Sequence, residues 1–299
     1  MSPGPQHGTP AGDAILAIRA FARQSGADVQ ELMTLYALEG LLARIALSEY
    51  REDFVLKGGV LLAAFATRRP TKDIDLQATG LDGDPEEVAE RVRAIAALGC
   101  PDGLVFDPSA VTATTIRDED EYAGVRVRLT ARLASARLTI GMDVNFGDPI
   151  WPAPRLIDLP RVVPLGLPPV TVLGYPLTMV LAEKIITAVD RGVANTRWRD
   201  FADVHVLTRL HSVDAGELRT SMTAVAEYRE VALAPLLPAL APMSERAQQK
   251  YRAWRTRSHR DGELPEAFGD LLGAVARFSD PVLSAAVPGR WNPVVATWE

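Results

Sequence analysis

Cysteine is almost missing from this 299-residue chain. Cys100 stands alone, so an internal disulfide framework and a cysteine-based metal cluster are both excluded. Histidine is scarce as well: His7, His205, His211 and His259 are scattered. The step from His205 to His211 does not place two rings on one helix face, which argues against a histidine zinc site. No uninterrupted apolar run reaches the roughly 18 residues of a membrane-spanning helix, so no membrane partner is expected. The start, MSPGPQHGTPAGDA, lacks the basic residues and apolar stretch of a signal peptide and reads as a disordered lead-in over residues 1–12. Basic excess is absent too. The net charge of −6 means that any polyanion has to be met by a local patch. What is present is a globular composition, 47% hydrophobic and 23% charged, with enough length for one large domain or two ordinary ones. A reducing, cytoplasmic setting is the expectation.

Apolar spacing of three and four predicts helices over 13–24 and 28–50. DFVLKGG reads as a strand running into a glycine turn, VLLAAFATR as an apolar helix ending near Pro70, and KDIDLQAT as a strand. Residues 84–98 predict a helix capped by Asp84, with Glu86 and Glu87 in its first turn. GLVFD, VTATTIR, AGVRVRLTARL and ARLTIGMDVNFGD then read as strands, with the acidic run from Asp118 to Glu121 as a hairpin turn. The proline-rich stretch 154–176 reads as an extended connection packed on a surface. Residues 177–280 read as helices, and the tail PGRWNPVVATWE packs back on the body. The expected fold class is α+β: a mixed-sheet domain over 13–165, then an all-helical domain over 166–299.

The chemistry is concentrated in KGGVLLAAFATRRPTKDIDL, residues 57–76. Residues two apart on a strand face the same way, roughly 6.6 Å apart. Asp73 and Asp75 therefore project into one space, where two carboxylates repel unless a cation joins them. Hard divalent cations take oxygen ligands and bridge substrate phosphates, and a two-metal site serves in-line phosphoryl displacement. TIGMDVNF offers a third carboxylate, Asp143, with Asp148 nearby as the alternative. A lone D-x-D also fits a solvated strand face or turn. Upstream, Gly58 and Gly59 leave the backbone free to approach a phosphate, and the helix after them would aim its N-terminal N–H groups at the same place.

These residues carry a resemblance. A glycine pair, an apolar helix and R-x-T-x-D-x-D resemble the nucleotidyltransferase superfamily that includes DNA polymerase beta. Lys57 before the glycines and RPTKDIDL after them look more narrowly like the AbiEii-type toxins, a group that includes the MenT toxins. In AEKIITAVDRGVANTRWRDFADVHVL, the pattern Glu183, Lys184, Arg191, Arg199, Asp200 and Asp203 resembles the second block of these toxins. The first domain would then be the nucleotidyltransferase domain.

The resemblance implies Mg²⁺ at Asp73, Asp75 and Asp143, with an NTP as substrate. Asp143 is also the candidate proton acceptor. The superfamily's usual Gly-Ser is Gly58-Gly59 here, so Lys57 or backbone amides would handle phosphate in place of the hydroxyl. Lys184 and Asp200 match residues on which such toxins depend. Lys184 suits a triphosphate as a point charge, and equally a surface lysine on an amphipathic helix. Asp200 or Asp203 could cap the second helix, orient Lys184 or position the base. Arg68 and Arg69 are helix-end charges or phosphate ligands, Arg69 being the nucleotide-binding candidate. Arg191, Arg197 and Arg199 with Trp198 suggest a basic-aromatic patch for RNA ends. Thr71 is a candidate phosphorylation site beside the acids, or a strand-entry threonine bonded to backbone. The implied protein is a toxin that adds nucleotides to the tRNA 3′ end and pairs with a cognate antitoxin. The alternatives are transfer to a protein or small molecule, and a non-catalytic binding module.

Overall fold

The computed structural model describes residues 6–66, 71–118, 121–258 and 260–299. The chain forms two compact units, Met1–Asp148 with Pro154–Tyr175, and Pro149–Ala153 with Pro176–Glu299. The strand Val170–Gly174 thus belongs to the first unit, beyond residue 165.

The first unit opens with two helices whose ends are written in the sequence. α1 (Pro10–Ser25) has Pro10 in its first turn, a Thr9 hydroxyl accepting from the Gly12 N–H, and Gly26 in the left-handed conformation that closes it. α2 (Val29–Leu47) is capped by Asp28, which accepts from the Glu31 N–H. The remaining elements are β1 (Phe54–Lys57), α3 (Gly58–Leu61), β2 (Asp73–Ala78), α4 (Pro85–Ala96), β3 (Leu104–Asp118), β4 (Glu121–Leu133), β5 (Ala136–Asn145), β6 (Arg155–Leu159) and β7 (Val170–Gly174). The Asp84 cap of α4 is present as expected.

The seven strands make one mixed sheet in the order β3-β4-β5-β2-β1-β7-β6. The pairs β2–β5 and β1–β7 are parallel and the rest antiparallel. One face of the β3–β4–β5 meander is apolar and closed: Phe106, Val111, Val125, Val127, Leu129, Ile140, Met142 and Val144 are all buried. Ile74 and Leu76 of β2 are buried as well, each contributing about 2 kcal/mol by area removed from water. α2 and α4 pack against one another, α2 against β5 and β7, and α4 against β3. Arg44 of α2 is fully buried and bidentate to Asp102, and also donates to the carbonyls of Gly40, Leu98 and Leu104. Its charge and donors are thus satisfied inside the unit.

Three expectations change here. The apolar helix after the glycines is one turn of α3 and a 3₁₀ turn over Leu62–Ala64, too short for a useful dipole. GLVFD and VTATTIR are one long strand, with an irregularity between Asp107 and Thr112. The proline-rich stretch is not merely a connection: VTVLG alternates, pairs with β6 and joins β1 in the main sheet.

The second unit contains α5 (Leu177–Arg191), α6 (Trp198–Leu210), β8 (Val213–Asp214), α7 (Ala215–Tyr228), α8 (Leu236–Leu240), α9 (Met243–Arg257), α10 (Phe268–Leu283), β9 (Arg290–Asn292) and β10 (Thr297–Trp298). It is not all-helical, because the tail forms a small β10-β9-β8 sheet. Trp291 and Trp298 pack on Phe278 with centroids 5.0 and 5.2 Å away. Their indole N–H groups donate to the carbonyls of Thr208 and Phe278.

Candidate active site

Asp73 and Asp75 enter on β2 and share one face, because Ile74 and Leu76 between and beyond them are drawn into the core. Pairing across the sheet extends that face. Lys57 of β1 stands opposite Asp75, Asp75 opposite Asp143 of β5, and Asp143 opposite Arg126 of β4. Directly opposed residues project to the same side. The row therefore reads cation, acid, acid, cation. In the next row Arg128 faces Gly141, and Gly141 faces Asp73.

Each β2 carboxylate lies over a glycine. A Cβ on Gly141 would overlap the Asp73 carboxylate, and one on Gly58 would overlap that of Asp75. Gly58 also has φ of 66°, where other residues are strained. The Gly59 N–H donates to Asp75 Oδ2 at 3.3 Å. The glycine pair thus seats a carboxylate, a role the sequence did not suggest.

The two flanking cations are committed. Arg126 holds Asp143 bidentately, Nε to Oδ1 at 2.8 Å and Nη2 to Oδ2 at 2.7 Å. Lys57, expected to meet phosphate, donates instead to Asp148 Oδ2 at 2.9 Å, with both side chains buried and Nζ 5.6 Å from the Tyr175 ring centroid. Asp148 lies past the end of β5. Its loop is fixed by the Gln77 amide, whose oxygen, turned toward the loop, accepts from the N–H groups of Gly147 at 3.1 Å and Asp148 at 3.2 Å. Of the two third-carboxylate candidates, Asp143 is the one in register with Asp75. Thr71 Oγ1 donates to the Asp73 carbonyl at 3.1 Å, the strand-entry arrangement. Arg68 and Arg69 lie outside the described residues.

The donor chemistry fits a hard divalent cation. Two partly exposed carboxylates share a face with a third in register, and the underlying glycines keep that face open. Among the described residues, no three acidic, histidine or cysteine side chains are already drawn into a closed ligand set. Asp143 directs both its oxygens at Arg126.

The second block forms a cluster of its own in the second unit. Lys184 of α5 donates to Asp200 Oδ1 at 2.9 Å and Asp203 Oδ2 at 2.8 Å, all three side chains at or below 10% exposure. Arg197 also reaches Asp200, Nε to Oδ2 at 2.8 Å. The spacing Asp200–Asp203 puts both acids on one face of α6, one turn apart. His205, on the same helix α6, is buried, and burial first, then Arg209, pushes its pKa below the ordinary 6.5.

The residues of the expected basic-aromatic patch have individual surroundings. Arg197 is paired with Asp200, Arg199 is exposed, and Arg191 is half-buried at the end of α5. Trp198 packs edge-on against Phe268 with centroids 5.2 Å apart, so its ring serves the core of this unit. Arg126, Gly141 and the Lys57–Asp148 pair were not singled out from sequence. The alternation VRVR does put Arg126 and Arg128 opposite the apolar Val125 and Val127, but no local signal names their cross-strand partners.

A family model, the nucleotidyl transferase AbiEii toxin of type IV toxin–antitoxin systems, matches residues 40–274. The chain belongs to the AbiEii family. It is accordingly a nucleotidyltransferase, of a kind that acts on NTPs with a divalent metal and belongs to toxin–antitoxin pairs. MenT4, a nucleotidyltransferase toxin from Mycobacterium tuberculosis H37Rv, is similar in fold. The match has a TM-score of 0.55 at 17% identity and covers 90% of the AbiEii chain and 98% of MenT4. JHP933 from Helicobacter pylori matches with a TM-score of 0.44 at 14% identity, over 85% and 90% of the two chains. No curated protein sequence matches the chain. Among the described residues, no helix is long and apolar enough to cross a membrane.

Proposed function

We propose that this AbiEii protein transfers a nucleoside monophosphate from an NTP to the 3′ hydroxyl of tRNA, blocking aminoacylation and hence translation, and that a cognate antitoxin restrains it. The observation that carries the reading is the register of Asp73, Asp75 and Asp143 on one open sheet face. In the reaction the acceptor oxygen bonds to the α-phosphorus while the bond to the bridging oxygen breaks, releasing pyrophosphate. Asp73 and Asp75, with Asp143, would hold Mg²⁺, which supplies charge neutralisation at the phosphates and can align both oxygens of an in-line displacement.

The chain's own residues do the orienting. Gly58 and Gly141 leave the two β2 acids their places, and the Gly59 N–H fixes one oxygen of Asp75. Arg126 sets the plane of the Asp143 carboxylate. Asp143 is the candidate to accept the proton of the acceptor hydroxyl, on a lone pair that Arg126 leaves open. Lys57 donates to Asp148 and, with three N–H donors on its ammonium, can also turn one toward a triphosphate. Lys184, held by Asp200 and Asp203, is the candidate for nucleotide handling, a reading supported by its resemblance to the family's second block. Arg69, Arg191 and Arg199 are further candidates for phosphate or RNA contact. Phosphorylation of Thr71 would break its bond to the Asp73 carbonyl and add negative charge beside the acids.

The test is direct. The protein is incubated with total tRNA, Mg²⁺ and each labelled NTP, and label is expected in RNA with at least one of them. Folded protein that transfers none overturns the tRNA reading, and label found instead in the protein or small-molecule fraction of a lysate reassigns the acceptor.

A further inference from the structure

The sheet face that carries Asp75 and Asp143 does not end with them. On β4 the same alternation continues from Arg126 through Arg128 to Arg132, and on β5 Arg137 stands directly opposite Arg132. The neighbouring positions on this face are Thr112 and Thr114 of β3, opposite Arg128 and Arg126, and Thr139 of β5. Arg128, Arg132, Arg137, Thr112, Thr114 and Thr139 are exposed, whereas the other face of the same strands is the closed apolar core.

Among the described residues, Arg128, Arg132 and Arg137 make no ion pair. The acid on this stretch, Asp107, accepts from the Ser109 hydroxyl at 2.6 Å and from the Ser109 N–H at 3.0 Å. A directly opposed like-charge pair such as Arg132–Arg137 disfavours the sheet. The Ser109 hydrogen bonds, helped by the charge of Arg137, hold the Asp107 carboxyl below the usual range, but among the described residues Asp107 forms no ion pair with any of the three arginines. A bound polyanion would remove that repulsion. At about 3.4 Å per residue, the stripe extends roughly 20 Å from the carboxylate row.

We infer that Arg128, Arg132 and Arg137 form the track on which the sugar-phosphate backbone of the acceptor RNA lies, leading its 3′ end to the carboxylates. This rests on the RNA reading above and adds to it a surface. The contacts are to phosphate, so they position the RNA and do not read its bases. The exposed threonines add hydroxyl donors along the same path.

Fluorescence anisotropy with labelled tRNA and the full chain tests this. The triple variant R128Q/R132Q/R137Q is expected to bind at least about tenfold more weakly at low salt. Its salt slope is expected to fall by roughly 0.7–0.9 per arginine, about 2 to 3 in total. The R128K/R132K/R137K variant keeps the charges and is expected to keep the slope. Circular dichroism is expected to show native folding for both, since the side chains are exposed. Wild-type and triple-Gln proteins with equal affinity and equal slope would overturn the track while leaving the RNA reading intact. A wild-type chain with no affinity for tRNA would overturn both, and label transferred to a protein in an arginine-dependent way would give the face to a protein substrate.

Discussion

Asp75 and Asp143 stand directly opposite one another on parallel strands, although 67 positions separate them in sequence. Each has a cation as its other neighbour in the row, Lys57 for Asp75 and Arg126 for Asp143. Arg126 turns its charge on Asp143, and Lys57 donates to Asp148.

Replacing Asp75 with Ala should cost transfer about 10³-fold or more, the several kcal/mol that a metal's charge stabilisation contributes. The fold should survive, because the change removes repulsion and buries nothing. Label transfer to RNA alongside circular dichroism checks both halves. Retained activity would show that the metal reading of β2 is mistaken.

Gly141→Ala should act on Asp73 without touching its chemistry. The added methyl overlaps the carboxylate, so either Asp73 turns away or β5 shifts, at about 1–3 kcal/mol. Urea unfolding measures the cost, and a Mn²⁺ titration measures whether metal affinity falls. Gly58→Ala should be more damaging, since it adds a φ of 66° to the same kind of overlap.

Lys184→Met leaves Asp200 and Asp203 buried without their shared ammonium. Such a loss costs about 3–5 kcal/mol. Adding Asp203→Asn should recover part of it by removing one of the two buried negative charges. Denaturant midpoints for the single and double variants decide the matter; equal midpoints for wild type and K184M would mean that the lysine is not bracing the unit.

His205 makes a pH prediction. Its folded pKa lies below the unfolded 6.5, so the unfolded chain binds the extra proton first as pH drops. The stabilisation is fully present above 6.5 and is lost as pH falls through the folded pKa. His205→Gln should flatten stability over that acidic interval, read as thermal midpoint against pH. Parallel curves for the two proteins would assign the acid sensitivity elsewhere.

Much of this was legible locally. KDIDLQAT alternates, so Asp73 and Asp75 had to share a face if the segment was a strand. Asp84, Thr9 and Asp28 precede apolar periodicity and do cap helices. Asp143 was marked by sitting in an otherwise apolar strand. Other features misled for physical reasons. The prolines around 160–169 hid VTVLG, whose own five residues contain none and form a sheet strand. VLLAAFATR has helical composition, but among its described residues only the end of Gly58–Leu61 and a 3₁₀ turn are helical. Trp198 beside three arginines reads as a base-stacking platform, and no local signal shows that Phe268, 70 positions later, packs edge-on against its ring.

The sequence alone determined the periodicities, the helix ends and the side of β2 on which the acids stand, because each depends on backbone geometry within a few residues. Tertiary structure decided everything that depends on register: Asp143 beside Asp75, Arg126 on Asp143, Lys57 buried against Asp148, a glycine under each β2 acid. Strand pairing is selected by burying one face of the whole sheet at once, and a one-residue slip would turn every acid inward. That choice is a property of the assembled core, and no short window of sequence contains it.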